Sequence, residues 1–142
     1  MKIEKALVLG TGMMGPGIAA ALALGGVRAT VVSRTPDGAA RGEASARSAL
    51  NALETAGLVD AGMAGAAAGR IGAGCDLDQL LPAADLVIES IVEDMGVKQE
   101  LFAHMDALAR PAAILASNTS GLSITGIASR CAHPERVVTT HF

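Results

Sequence analysis

Residues 7–18 read LVLGTGMMGPGI, with glycines at positions 10, 12 and 15 where an apolar run gives way to a helical one. That spacing suits the grip of a pyrophosphate by bare backbone. Gly10 permits a tight turn, Gly12 lets the chain approach the phosphates, and Gly15 lets a helix pack close to the preceding strand. The amino end of that helix offers unpaired N–H groups and a partial positive charge to the anion. Ala6-Leu7-Val8-Leu9 before the loop, and Ile18 to Leu24 after it, supply the strand and helix that the motif requires. Met13 and Met14 stand in the turn with the cofactor-side residues and are expected to pack there.

A second position bears on the ligand. About twenty residues after the glycines, chains that bind NAD carry an acidic side chain for the adenosine ribose. Here the second strand ends in Ser33-Arg34-Thr35, with no carboxylate before Asp37. A hydroxyl and a guanidinium suit a 2′-phosphate, which a carboxylate would repel. The expected cofactor is NADP or NAD, with NADP favoured. The alternative is a solvent-exposed Arg34 and a tolerated Ser33, with NAD still bound.

The elements that must position these residues alternate. Strands are expected at Ile3–Leu9, Ala29–Val32, Arg70–Gly72, Asp85–Glu89 continuing to Ile91-Val92, Ala112–Ala116 and Arg136–Thr140. Helices are expected at Met14–Leu24, Asp37–Ala56 with Asp37 as N-cap, Val97–Ala109 closed by Pro111, and Leu122–Arg130. Residues 61–69 read as a short helix or a loop. Strands separated by helical segments imply right-handed crossovers, hence an α/β, Rossmann-like, doubly wound and mostly parallel sheet with helices on both faces. Residues 1–142 form one dinucleotide-binding domain.

Composition narrows the class. Apolar residues make up 51% and charged residues 18%, which is globular rather than disordered. With no Trp or Tyr and two Phe, the core must be Ala, Val, Leu, Ile and Met. Buried parallel strands are built that way. A net charge of −3 argues against general nucleic-acid binding. No apolar run is long enough to cross a bilayer. Lys2 to Lys5 lead straight into the first strand, leaving no room for a signal peptide. Cys75 and Cys131 then read as reduced thiols of a cytoplasmic protein. No residues are assigned to a metal.

Three blocks go beyond the phosphate loop: GTGMMGPGIA (10–19), ADLVIESIVEDMGVKQELF (84–102) and ILASNTSGLSITGIA (114–128), with VVTTHF (137–142) after them. In this order the chain resembles the N-terminal, NAD(P)-binding domain of the L-3-hydroxyacyl-CoA dehydrogenase family. The resemblance implies hydride transfer between a nicotinamide and C3 of a 3-hydroxyacyl thioester such as 3-hydroxybutyryl-CoA. It implies that Ser120 holds the substrate oxygen and that His141, 21 residues further on, takes the hydroxyl proton. It also implies cofactor-side roles for Glu93 and Lys98. An imidazole ordinarily titrates at about 6.5 and serves as acid or base near neutrality. Ser120 follows a strand on the carboxyl edge of the sheet, where ligands sit. Asn118 and Thr119 would orient that loop or touch the nicotinamide ribose.

Plainer readings stand beside these. Glu93 and Lys98 can be a solvated pair at a helix start, and Arg110 and Arg130 can serve helix ends. His104 and His133 are given no role. The family continues into a helical C-terminal domain, absent here, which supplies the histidine's carboxylate partner, part of the acyl pocket and a homodimer contact. The segment after strand two offers only Arg41 and Arg47 for CoA phosphates. A related hydroxy-acid dehydrogenase acting without CoA, or a dinucleotide-binding module without chemistry, are the alternatives. The chain alone is expected to bind cofactor and to turn over slowly or not at all.

Overall fold

The structure is a computed structural model that describes residues 2–60 and 62–142. Ala61, the first residue of the expected 61–69 segment, lies outside the described residues. Six strands form one sheet: β1 (Lys5–Leu9), β2 (Arg28–Val32), β3 (Ile71–Gly74), β4 (Leu86–Glu89), β5 (Ile114–Ser117) and β6 (Val137–Thr139). All neighbours are parallel, in the order β3-β2-β1-β4-β5-β6. This is the doubly wound order expected, and it reverses direction between β1 and β4.

Strand alternation divides the core in two. Val8, Val31, Ile88 and Ala116 pack beneath α1 (Gly15–Leu24), α2 (Pro36–Thr55) and α3 (Met63–Ala68). Leu7, Leu9, Val87 and Leu115 face the opposite way with Phe102 and Met105 of α5 (Met95–Leu108) and Ile127 of α6 (Ile124–Ile127). Phe102 is the one aromatic ring in these cores, so aliphatic side chains fill the rest, as the composition requires.

Several boundaries differ from the sequence reading, each for a local reason. β1 begins at Lys5, because the amides of Glu4 and Lys5 donate to the Asp85 carboxylate (2.7 and 2.8 Å). Asp85 in turn receives Arg110, which therefore does not serve as a helix-end cation. α2 is capped by Thr35, whose hydroxyl accepts from the Gly38 amide at 3.1 Å. Pro36 takes the first turn, and Asp37 is a first-turn acid rather than the cap. β3 runs to Gly74 and starts after Arg70, whose amide donates to the Ala67 carbonyl (2.8 Å) and closes α3.

β4 stops at Glu89 and does not run on to Ile91-Val92. The Glu89 carboxylate accepts from the Ile91 amide at 2.7 Å, which bends the chain out of the sheet. α5 begins at Met95, two residues early, because Asp94 caps it through the Val97 amide (2.9 Å). The segment from 122 to 130 divides into α6 and a 3₁₀ turn, Ala128–Arg130. The sequence reading missed α4 (Leu77–Leu80), capped by Asp76.

Candidate dinucleotide and serine-loop site

The phosphate loop joins β1 to α1 at the point where the strand order reverses. Gly10 has φ +112°, and a Cβ there would lie 2.2 Å from the Ser90 carbonyl oxygen on β4's exit. A Cβ on Gly15 would lie 2.0 Å from the Gly10 carbonyl oxygen, so the helix does close on the turn. Gly12 is different: a Cβ there would meet nothing within 4 Å. No contact among the described residues requires glycine at 12. The amides of Gly12, Met13 and Met14 make no hydrogen bond among the described residues. A bare Cα and free donors at a helix mouth with no acid in its first turn fit a pyrophosphate. Met13 and Met14 do not pack: they are 95% and 39% exposed, at the open lip of this cradle.

At the end of β2, the Ser33 amide donates to the Gly74 carbonyl (3.1 Å). Its Oγ lies 2.3 Å from where a Gly38 Cβ would stand, so the hydroxyl faces the first turn of α2. Arg34 beside it is exposed. The pair thus sits where the sequence reading put it, next to the amino end of a 20-residue helix.

The loop after β5 is held from several sides. The Asn118 amide donates to the Glu89 carbonyl at 2.7 Å. Thr119 is buried, and its hydroxyl both donates to Glu93 and accepts from the Leu122 amide (3.0 Å). The Ser120 amide donates to the same Glu93 oxygen at 3.1 Å. Ser120 Oγ lies 3.5 Å from His141 Nε2, with both side chains exposed. Asn118 Oδ1 accepts from the Phe142 amide (3.0 Å) and so ties the chain after β6 to the serine loop.

Glu93 and Lys98 are no solvated pair. Lys98 is 1% exposed, and its Nζ lies 2.6 Å from Glu89 Oε1 and 3.1 Å from Glu93 Oε2. The Thr119 hydroxyl, together with Lys98 and the Ser120 amide, pulls the Glu93 carboxyl down to about 2 against the cost of its desolvation. Glu89, fully buried, also accepts from Ser117 Oγ at 2.6 Å. The sequence reading missed Glu89. Its signal was an acid ending an otherwise apolar strand, nine residues before a lysine on the next helix.

The family model for the NAD-binding domain of 3-hydroxyacyl-CoA dehydrogenase matches residues 5–142. The chain belongs to this family. It is 37% identical to a 3-hydroxybutyryl-CoA dehydrogenase of Mycobacterium tuberculosis over 141 residues, 99% of this chain and 49% of that protein. It is 34% identical over 143 residues to a 5-formyl-3-hydroxy-2-methylpyridine 4-carboxylate 5-dehydrogenase of Mesorhizobium japonicum, covering 99% of this chain and 44% of the relative. The crystal structure of an Escherichia coli 3-hydroxybutyryl-CoA dehydrogenase superposes with a TM-score of 0.91 at 34% identity, over all of this chain and 30% of that one. The chain therefore spans about half or less of the length of these relatives. No helix among its described residues is long and apolar enough to cross a membrane.

Proposed function

We propose that this domain serves an oxidoreductase that moves a hydride between NAD(P) and C3 of a 3-hydroxyacyl-CoA such as 3-hydroxybutyryl-CoA. The observation that carries the reading is the approach of Ser120 Oγ to His141 Nε2 at 3.5 Å, on the sheet edge that also bears the glycine loop. The dinucleotide, when bound, supplies the hydride acceptor or donor. Gly10, Gly12 and Gly15 shape the phosphate cradle, and Met13 and Met14 border it. Ser120 donates a hydrogen bond to the substrate oxygen, and His141 removes or returns the hydroxyl proton. Glu93 and Lys98 stand on the cofactor side of the serine loop as candidate dinucleotide contacts, with Asn118 holding His141's segment.

The relatives are about twice this length or more, and the acyl pocket and a homodimer contact are assigned to a further helical domain. Val138 and Phe142, 39% and 53% exposed beside the last strand, support a covered face there. A cytoplasmic setting fits the two free thiols. The chain alone binds dinucleotide and shows little or no oxidation of 3-hydroxybutyryl-CoA. Calorimetric titration with both dinucleotides, followed by a turnover assay, tests this. No heat with either dinucleotide would sink the reading.

Within this reading, NADP(H) is preferred over NAD(H), because Ser33 and Arg34 stand where an acid would meet the ribose. Ser33→Asp is expected to weaken NADP(H) about tenfold by adding a like charge beside the phosphate. Equal dissociation constants in the parent, or tighter NAD, would remove the preference. A second substrate class, a hydroxy acid without CoA, is favoured by one observation. Arg47, one of two arginines on α2 available to CoA phosphates, is held by Glu43 at 2.8 Å and by the Ile71 carbonyl at 3.1 Å.

A further inference from the structure

Lys98 occupies a place that stability alone does not explain. A buried ion pair replaced by apolar groups of similar size is often as stable or more so. Here a lysine 1% exposed bridges a carboxylate at 0% side-chain exposure and another at 43%. The buried partner, Glu89, is itself the last residue of β4 and is bound to the end of β5 through Ser117 Oγ (2.6 Å) and to the turn after β4 through the Ile91 amide (2.7 Å). The exposed partner, Glu93, is bound to the serine loop through the Thr119 hydroxyl and the Ser120 amide. Among the described residues, Lys98 Nζ is the one group that touches both carboxylates. Its ammonium thus joins the rigid end of β4 and β5 to the loop that carries Ser120.

We propose that Lys98 is a positioning residue, which sets the location of Ser120 by clamping Glu93 between the Glu89 strand end and the Thr119–Ser120 backbone. The proposal rests on the reading of Ser120 as the holder of the substrate oxygen. A hydrogen bond from a serine is useful only where the oxygen's charge develops, and displacement of the donor by about 1 Å can cost about a hundredfold in rate. A loop held only by its own turns would not hold that tolerance. A loop tied by charge-assisted bonds to buried strand ends does.

Amide NMR of the chain provides the test. The parent is compared with Lys98→Met and with the Lys98→Met/Glu89→Gln pair, which leaves no uncompensated buried charge. All are placed in a His141→Ala background, which removes the imidazole beside Ser120 and leaves Glu93 as the carboxylate bonded to the Ser120 and Gly121 amides. In the parent, the Ser120 and Gly121 amides are expected to stay downfield and unchanged from about pH 7 to about pH 4, since Glu93 stays ionised there. In the variants these two amides are expected to shift upfield, and the Glu93 midpoint to rise by about one unit or more. Parent-like amide positions and pH profile in a folded variant overturn the proposal. Loss of the folded state in both variants also overturns it, since Lys98 would then be a structural support only. Dinucleotide affinity of the parent is measured separately. Its absence would remove the nucleotide reading and leave the amide result standing.

Discussion

The three glycines of the phosphate loop have the same side chain and three different reasons for it. Gly10 needs its left-handed φ and the space beside Ser90, and Gly15 needs the space beside Gly10. Gly12 is constrained by nothing among the described residues. The two kinds of glycine must then separate experimentally. Gly12→Val is expected to leave the unfolding free energy within about 0.5 kcal/mol of the parent, as for an exposed site. The same substitution is expected to weaken dinucleotide binding at least about tenfold, because its side chain would stand where a phosphate approaches. Gly10→Ala is expected to destabilise by more than about 1 kcal/mol, since alanine is strained at that φ. Urea unfolding and calorimetric titration on both variants check the contrast. Equal loss of stability in the two would mean that Gly12 has a structural role after all.

At the scale of the elements, the last strand depends on one buried acid. Asp106 of α5 accepts from Arg136 Nε (2.7 Å) and from the Ala132 and His133 amides (2.7 and 3.0 Å), while Arg136 Nη1 donates to the Arg110 carbonyl (2.7 Å). The latch fixes the segment that leads into β6 and so places His141. Asp106→Ala removes the carboxylate that neutralises a guanidinium 9% exposed, and is expected to cost about 3 kcal/mol in urea unfolding. It should also broaden the His141 ring signals; a loss below about 0.5 kcal/mol would show that the latch is dispensable. None of this was legible in the sequence, because Asp106 and Arg136 are 30 residues apart with no local pattern joining them. The parallel, doubly wound sheet was legible, since buried parallel strands announce themselves as aliphatic runs between helices. So were the turn at Gly10 and the close approach at Gly15, which are local geometric demands. Boundaries failed where a side chain from elsewhere captured the backbone, as Asp85 does at β1. The Lys98 environment failed too, because burial of a charge depends on which distant carboxylates fold over it.

The whole molecule carries a charge of −3, and four of its carboxylates are shifted to more acidic values: the exposed Glu4 by its hydrogen bond with Lys2, and Asp85, Glu93 and Asp106 by partners brought together by the fold. The Glu4 and Lys5 amides, with Arg110, hold Asp85 down. The Thr119 hydroxyl and Lys98 hold Glu93 at about 2. Burial pushes Asp106 upward, but Arg136 and two amides outweigh it and its carboxyl ends below the ordinary range. For groups of this kind the unfolded chain binds protons first. Their stabilisation is therefore complete above the ordinary carboxyl values of 3.8 and 4.5, and it is lost as pH falls from there through the lower folded values. Stability on this account is flat from about pH 7 to about pH 5 and then falls, the unfolded state taking up more protons than the folded one. Glu93→Gln removes one contributor, so its stability should decline less steeply below about pH 4.5 than the parent's. Denaturant midpoints at a series of pH values measure both slopes, and parallel declines would mean that the Glu93 carboxylate is not held more tightly in the folded chain. The Glu93 bonds that steepen this acid slope are the same bonds that fix Ser120. A parallel decline would therefore loosen the case for the serine loop as well as for the acid profile.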